Sequence, residues 1–206
     1  MIPDNILSAL KRFYQLVDNK NISWFLSGST SLALQGVSVS INNDIDILTS
    51  KKGSKMFDEL LSEFCIKKSE YSSTDKYKSH FGIYNIDGVT IEVMGKFQHK
   101  LRNGDWSTPS QNNKTHIFDF EKMSLPLLTL EQELEEYKNM GRYDKVEKIK
   151  ATLYKSKQIS KYNDDTPKKI DTFKTPGNNL NFNDMSSRKK VFFEKIICFL
   201  SKELMI

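Results

Sequence analysis

The spacing of apolar residues along the first 65 positions predicts helices that alternate with strands. Residues 3–18 have apolar side chains at helical spacing behind Pro3-Asp4, a typical helix start. The segments that follow predict, in order, a strand at ISWFLSG, a helix at STSLALQG, a strand at NNDIDILTS and a helix over residues 51–64. This alternation favours a sheet covered by helices over a helical bundle or a β-sandwich.

The middle of the chain predicts a hairpin, a loop and then helices. The segments HFGIYNI and GVTIEVMG flank Asp87-Gly88, a strong hairpin signal, so we expect two antiparallel strands. Residues 96–116 are polar and rich in turn formers, which predicts a surface loop. Residues 125–154 are predicted to be helical, with a break at Gly141.

We therefore predict an α+β (mixed α/β) fold, in which a small mixed β-sheet is flanked by helices and followed by a helical C-terminal region. The organisation we expect is a sheet-containing domain over 1–122 and a helical extension packed on it over 123–155. A linker or loosely ordered arm then covers 156–185, where Lys, Asn, Asp, Thr and Pro are frequent. Residues 186–206 are predicted to form an amphipathic C-terminal helix whose apolar face needs a docking surface.

Charge and cysteine content narrow the function classes only slightly. The net charge of +5 is concentrated after residue 155, where 10 basic residues face 6 acidic ones, against 21 and 20 before it. That basic tail suits RNA, a phosphorylated small molecule or solubility alone. Cys65 and Cys198 have no Cys or His partner at ligand spacing, so neither zinc nor a disulfide framework is indicated.

The sequence indicates no export signal or membrane anchor. The N-terminal segment lacks the charged-then-apolar order of a signal peptide, and no apolar run approaches the roughly 18 residues that span a bilayer. We therefore expect a cytoplasmic protein with no membrane partner.

The pair Asp44 and Asp46 is the most informative candidate for chemistry. Residues two apart on a strand project from one face, about 6–7 Å apart along the chain, so both carboxylates point the same way. Like charges placed together favour a cation between them, and carboxylate oxygens suit Mg²⁺ when phosphate oxygens complete the shell. An exposed strand face that carries two acids by chance is the alternative.

Gly28-Ser29 is the second candidate, because it ends one predicted strand and opens the next helix. Backbone N–H groups at such a point can receive a phosphate, and the Ser29 hydroxyl can donate to a phosphate oxygen. The alternative is an ordinary strand-to-helix turn with Ser29 as the helix cap. Glu92 alternates with apolar residues in a later strand and is a third acid that could join the same cluster.

The order of these features resembles the nucleotidyltransferase superfamily that includes DNA polymerase beta. The segment LSGSTSLALQGVSVSINNDIDIL is similar to small stand-alone members, namely lincosamide and aminoglycoside nucleotidyltransferases and abortive-infection or toxin-type nucleotidyltransferases. The segment LPLLTLEQELEEYKNMGR resembles the helical region that follows the catalytic half in these families. The sequence departs from the pattern at Glu92, where aspartate is more usual, and in having no arginine soon after Gly28-Ser29.

The resemblance implies a Mg²⁺-dependent enzyme that transfers a nucleoside monophosphate from a nucleoside triphosphate, with ATP expected, to a hydroxyl and releases pyrophosphate. It assigns Asp44, Asp46 and Glu92 as catalytic residues and metal ligands for two Mg²⁺ ions. It assigns Gly28 and Ser29 to nucleotide binding. A small molecule is the first expectation for the acceptor.

Two alternatives remain open at this point. The first is an RNA- or protein-directed toxin-type transferase, which the basic arm favours because cations there could contact RNA phosphates. The second is a non-catalytic family member that binds nucleotide and forms a homodimer through the C-terminal helix. Lys78 is interpreted as a solvent-facing charge and Arg142 as part of a helix-surface ion pair, with a phosphate contact as the alternative for each. Trp106 is interpreted as an aromatic residue that packs its loop or stacks on a ligand.

Overall fold

The computed structural model describes residues 2–110 and 115–164, with side chains up to residue 158. These residues fall within one compact unit, Met1–Asp165. Most of the predicted arm over 156–185 and the predicted C-terminal helix over 186–206 lie outside the described residues. The helices are α1 (Asp4–Val17), α2 (Gly28–Leu34), α3 (Lys51–Leu60), α4 (Leu130–Asn139) and α5 (Tyr143–Asp164), with a short 3₁₀ turn at Ser62–Phe64.

A seven-stranded mixed sheet forms the centre of the protein. The strands are β1 (Trp24–Ser27), β2 (Asp44–Thr49), β3 (Cys65–Ser73), β4 (Tyr77–Ile86), β5 (Val89–His99), β6 (His116–Phe120) and β7 (Met123–Leu127). In the order β3-β4-β5-β2-β1-β7-β6, β2 runs parallel to β5 and β1 runs parallel to β7, whereas the remaining neighbours are antiparallel. The predicted α+β fold is therefore confirmed.

The predicted hairpin is confirmed as β4 and β5. Asp87 and Gly88 both have positive φ, 54° and 80°, as a two-residue turn that follows the twist of the strands requires. Asn85 supports the turn, because its side-chain oxygen accepts a hydrogen bond from the Gly88 N–H at 3.0 Å.

The two faces of the sheet are covered by different helices. On one face, the alternating residues Ile45, Ile47, Ile91 and Val93 are fully buried in the main core with residues of α1 and α3. A second apolar cluster joins α2, α4 and α5. Burying a large aliphatic side chain contributes about 1.5–3 kcal/mol, so the main core fixes the central strands firmly. Their opposite face carries acidic side chains at Asp44, Asp46 and Glu92, and apolar ones at Leu48 and Met94.

Three boundaries differ from the sequence-based predictions. The prediction of helix over residues 125–127 is wrong. Met123, Leu125 and Leu127 are buried at a period of two in β7, which pairs with β1. The sheet thus extends past the boundary predicted at 122/123. The loop predicted over 96–116 is shorter, because β5 continues to His99 through its pairing with β4. Helix α5 extends beyond the boundary predicted at 155, as far as Asp164.

Candidate active site

The three predicted acids lie on one face of two adjacent strands. In β2, Ile45 and Ile47 are buried, so Asp44 and Asp46 take the opposite face. The parallel register between β2 and β5 pairs Asp46 with Glu92. Neighbouring strands are about 4.8 Å apart, so Glu92 lies directly beside Asp46. The structure therefore brings Asp46 and Glu92 together, with Asp44 two residues away on the same face of β2.

Gly28 lies on the other side of Asp46. The antiparallel register of β1 and β2 pairs Ser27 with Asp46, and Gly28 then turns the chain into α2 with φ at +70°. A Cβ at position 28 would overlap with the Oδ2 atom of Asp46. Glycine is required here on two grounds, the backbone conformation and the close approach of the carboxylate.

Ser29 is placed differently from Gly28. It is buried in the first turn of α2, whereas Ser27 and Gly28 line an open cleft. The helix cap position is occupied by Ser27 rather than by Ser29, and its side chain makes no capping hydrogen bond. Thr30, in the same turn, donates a hydrogen bond of 3.4 Å to the backbone carbonyl of Asp44 and so ties α2 to β2.

An open cleft of about 380 Å³ begins at Gly28 and crosses the sheet. Asp46 and Glu92 are the two acids among its described lining residues. Its far side is built from β4 and from the end of β3. The α4 end of the cleft is formed by Tyr137, Met140 and Arg142. A cleft that joins a tight glycine turn to paired carboxylates has the general form of a ligand-binding site.

The acids repel one another in this arrangement. Burial, together with the negative charges of Asp44 and Glu92, raises the pKa of Asp46 to about 7. Burial and Asp44 likewise raise the pKa of Glu92. Positive charge at Arg142 and Lys145 works in the opposite direction on Asp46. Carboxylates that are held close together without neutralising partners are suited to receive a cation.

Comparison with known proteins decides the family. The model of the family described as aminoglycoside-2''-adenylyltransferase matches residues 9–153, which include Gly28, Ser29, Asp44, Asp46, Glu92 and the cleft. TM1012 from Thermotoga maritima, assigned as a nucleotidyltransferase, is 37% identical, with 75% of this chain and 96% of that chain covered and a TM-score of 0.64. The chain belongs to this family. It is a nucleotidyltransferase, and the suspected superfamily is confirmed.

More distant structures resemble this nucleotidyltransferase less closely. The lincosamide antibiotic adenylyltransferase LnuA, in its lincomycin-bound form, is 14% identical over 70% of this chain and 96% of its own, with a TM-score of 0.48. ANT(2'')-Ia in complex with adenylyl-2''-tobramycin is 6% identical over 72% of this chain and 89% of its own, with a TM-score of 0.45. No curated protein gives a significant sequence match.

The carboxylate set of the nucleotidyltransferase fits a divalent cation by its chemistry. Asp44, Asp46 and Glu92 offer oxygen ligands of the kind that Mg²⁺ prefers, and a cation would relieve the repulsion that raises the pKa of Asp46. Within residues 2–110 and 115–164, no three His, Cys, Asp or Glu side chains already surround one point as metal ligands. The fit therefore rests on the donor set and its electrostatics.

Glu133 is a buried acid near the site that sequence reasoning missed. It lies in the first turns of α4 and accepts a hydrogen bond of 3.2 Å from the Ser31 hydroxyl of α2. Burial raises the pKa of Glu133 to about 8; the Ser31 hydrogen bond lowers it, while Glu136 and Asp46 raise it. A glutamate in a charged helix resembles a solvent-facing residue in sequence, and only the docking of α4 against α2 shows otherwise.

Lys78 was interpreted from sequence as a solvent-facing charge and Arg142 as part of a helix-surface ion pair, but both line the cleft. The Arg142 guanidinium lies over the Tyr137 ring at 5.7 Å from its centroid. Burial and the neighbouring Arg142 lower the pKa of Lys145, which lies near Asp46. Trp106 is partly buried, and the ammonium groups of Lys78 and Lys100 lie over its ring, 4.4 and 4.9 Å from the ring centroid.

None of the helices in residues 2–110 and 115–164 combines the length and apolar character that crossing a membrane requires.

Proposed function

We propose that this nucleotidyltransferase transfers a nucleoside monophosphate from a nucleoside triphosphate, with ATP as donor, to the hydroxyl of a small molecule and releases pyrophosphate. The observation that carries the proposal is the register pairing of Asp46 with Glu92 directly beside Gly28, inside the cleft. This places paired carboxylates next to a backbone turn that a phosphate can approach.

Asp44 and Asp46 are proposed to hold Mg²⁺, with Glu92 completing the ligand set of a second ion. Bound Mg²⁺ would supply positive charge to the phosphate oxygens and orient them. The side chains would exist as carboxylates in that state, since a cation favours the charged form and returns their pKa values toward the ordinary range.

Glu92 is proposed as the residue that accepts the proton of the acceptor hydroxyl. The acceptor oxygen then forms a bond to the α-phosphorus, while the bond from that phosphorus to the oxygen bridging to the β-phosphate breaks. Pyrophosphate carries away the electron pair of the broken bond. Its position supports this role, because Glu92 lines the cleft and pairs in register with Asp46.

The phosphates are proposed to lie between Gly28-Ser29 and the cationic residues Arg142 and Lys145, where α4 turns into α5. Gly28 permits close approach of the backbone, and Arg142 lines the same cleft. Arg142 and Lys145 both lower the pKa of Asp46, which supports a role for their charge beside the triphosphate. Charge of this kind stabilises the departing pyrophosphate.

A small-molecule acceptor is supported by the family, whose described activity is adenylylation of aminoglycosides. The alternatives of RNA binding and of a homodimer rest on the basic arm over 156–190 and on the helix over 186–206, most of which lie outside the described residues. Within residues 2–110 and 115–164, nothing in the structure favours RNA binding or a homodimer.

Incubation with labelled ATP, GTP, CTP or UTP, Mg²⁺, pooled hydroxylated compounds and total tRNA tests the proposal. We expect transfer from ATP to a small molecule, and no transfer by the variant that combines Asp44→Asn and Asp46→Asn. Glu63→Gln, which changes an exposed acid in the 3₁₀ turn, serves as the control. Undiminished transfer by the double variant, or label found only in tRNA, would contradict the proposal.

A further inference from the structure

The chemical class of the acceptor is the property that the cleft defines beyond the reaction itself. The sheet order places β1 and Gly28 on one side of β2, and β5, β4 and β3 on the other. If the phosphates lie at Gly28, an acceptor that reaches Glu92 from the open side rests on β5 and β4. The residues of that region therefore contact the acceptor.

The floor of that region is apolar. Two residues along the strands from Asp46 and Glu92, Leu48 of β2 pairs with Met94 of β5, and Met94 pairs with Phe81 of β4. All three side chains line the cleft. They form a continuous apolar row across three strands, about 6–7 Å from the carboxylates.

An aromatic pair extends this floor. The rings of Tyr77 and Phe97, which also line the cleft, stack with centroids 5.7 Å apart and an angle of 25° between their planes. The apolar floor and this pair give a flat, water-excluding surface of the kind on which rings and alkyl groups pack. Neutral hydroxyl groups, at Ser72, Thr74 and Ser79, complete the β3–β4 side.

The charges of the cleft do not suit a polyamine. Asp46 and Glu92 are the acids that line it in the described part of the chain, and both are assigned to the reaction. The other charged lining residues, Lys78 and Arg142, are cations. An acceptor with several ammonium groups would meet apolar side chains and positive charge, with no further carboxylate among the described lining residues of the cleft to pair with its amines.

We propose, on the basis of the function proposed above, that the acceptor is a hydroxylated molecule with an aromatic or aliphatic body and a neutral or anionic charge, and not a polycationic aminoglycoside. The apolar floor binds the body, Glu92 meets the hydroxyl, and Lys78 lies where an anionic group would gain an ion pair. The stacking of the Lys78 ammonium on Trp106 holds that charge in place.

Equilibrium binding in the presence of Mg²⁺ and a non-hydrolysable ATP analogue tests the inference. The probes are an aryl glucoside, an aryl glucuronide, an aryl glucosaminide, the matching methyl glucoside and tobramycin. We expect both the aryl glucoside and the aryl glucuronide to bind about tenfold or more tightly than the methyl glucoside and tobramycin, because each 1.4 kcal/mol of apolar or charge complementarity is a factor of ten. The glucosaminide should bind more weakly than the glucuronide.

Variants assign these preferences to residues. Met94→Gln, which keeps the side-chain length, and Phe81→Leu should each weaken binding of the aryl probes by roughly threefold or more while ATP-analogue binding is unchanged. Lys78→Ala should weaken binding of the aryl glucuronide by roughly fivefold and binding of the aryl glucoside by less than about twofold, because one partly exposed ion pair is lost. Lys100→Ala is the matched control, because Lys100 stacks on the same Trp106 ring but does not line the cleft.

Failure of this inference differs from failure of the proposed function. Tobramycin binding as tight as that of the aryl probes, aryl probes that bind no better than the methyl glucoside, or floor variants that weaken the ATP analogue rather than the aryl probes would each overturn the inference. The proposed function would fail separately. It would fail if the wild type showed no Mg²⁺-dependent binding of the ATP analogue, or if Asp46→Asn did not reduce that binding.

Discussion

Two acids on opposite faces of the sheet, Asp58 and Asp46, have opposite surroundings. Asp58 of α3 is buried, and its carboxylate accepts hydrogen bonds of 2.7 Å from the Ser69 N–H and from the Tyr84 hydroxyl, and one of 3.3 Å from Lys55. Burial alone would raise the pKa of Asp58, but these donors outweigh it and lower the pKa. Asp46 has acids as neighbours, and its pKa rises to about 7.

The difference distinguishes a structural acid from a functional one. A buried carboxylate supplied with donors stabilises the fold, because its charge is compensated within the protein. A carboxylate placed beside other carboxylates is left for a ligand outside the protein to compensate. Replacing each acid by its amide should therefore affect different properties of the molecule.

Asp46→Asn should have the largest effect, on activity. We expect the rate of nucleotidyl transfer to fall by roughly 10³-fold, the order of loss seen when a charge-stabilising group is removed from an active site. The unliganded protein should keep its stability or gain some, since one of three mutually repelling charges is removed. Transfer assays and urea unfolding of the same preparation measure both. A variant that loses stability and keeps activity would reverse the comparison.

Glu92→Gln should follow in size. Loss of the proposed proton acceptor should lower kcat by about 10²-fold or more with little change in nucleotide affinity, as expected for a general base. The pH profile provides the check: the rise of activity with pH in the wild type should disappear in the variant. An unchanged profile would remove Glu92 from this role.

Gly28→Ala tests the close approach of Asp46 to the backbone. The added Cβ would overlap with the carboxylate and would also strain a residue with φ at +70°, so we expect roughly 10²-fold loss of activity. Gly36→Ala is the matched control, because Gly36 has φ at +83° but no atom within 4 Å of its Cβ position. Equal effects of the two variants would reduce the role of Gly28 to backbone strain.

Asp58→Asn should act mainly on stability. Loss of the carboxylate leaves the Ser69 N–H, the Tyr84 hydroxyl and Lys55 poorly paired, at a cost of about 2–3 kcal/mol in the free energy of unfolding. Tyr84→Phe removes one of these donors and should cost about half as much. Both variants should keep transfer activity at temperatures where they are folded. Loss of activity in the folded variants would show that the two faces are coupled.

Glu133 should make the stability of the protein depend on pH. Its pKa in the folded protein is about 8, against 4.5 without the fold, so the folded state binds the extra proton between these values. Stability from this group is therefore present below pH 4.5 and lost as pH rises through about 8. Urea unfolding should show this decline, to which the raised pKa of Asp46 also contributes, and Glu133→Gln should make it less steep. The same slope in the variant would contradict the assignment.

The comparison also shows what the sequence could reveal. The same-face placement of Asp44 and Asp46 and the turn at Asp87-Gly88 follow from local periodicity and turn chemistry, and both were predicted. The pairing of Asp46 with Glu92 was not, because parallel register between distant strands is set by tertiary packing. The sequence predicts helix rather than strand at residues 125–127, because Leu127 and Leu128 extend the period-two pattern into an apolar run.

The residues that complete the cleft depend even more on tertiary structure. Glu133 becomes buried only where α4 packs on α2, and Arg142 reaches the cleft only because the chain turns at Gly141, where φ is +71°. The break at Gly141 was predicted, but not the direction in which it aims Arg142. The electrostatic contrast between Asp58 and Asp46 likewise depends on partners that are distant in sequence.

The most direct test of the central claim is the melting temperature of the wild type and of Asp46→Asn, measured with and without a non-hydrolysable ATP analogue and Mg²⁺. A ligand that binds only the folded state raises the melting temperature, by an amount that grows with the logarithm of its concentration divided by its dissociation constant. We predict a rise in the wild type that requires both nucleotide and Mg²⁺ and that is absent in Asp46→Asn. An equal, Mg²⁺-dependent rise in the variant would contradict the claim that the acids beside Gly28 form the nucleotide and metal site.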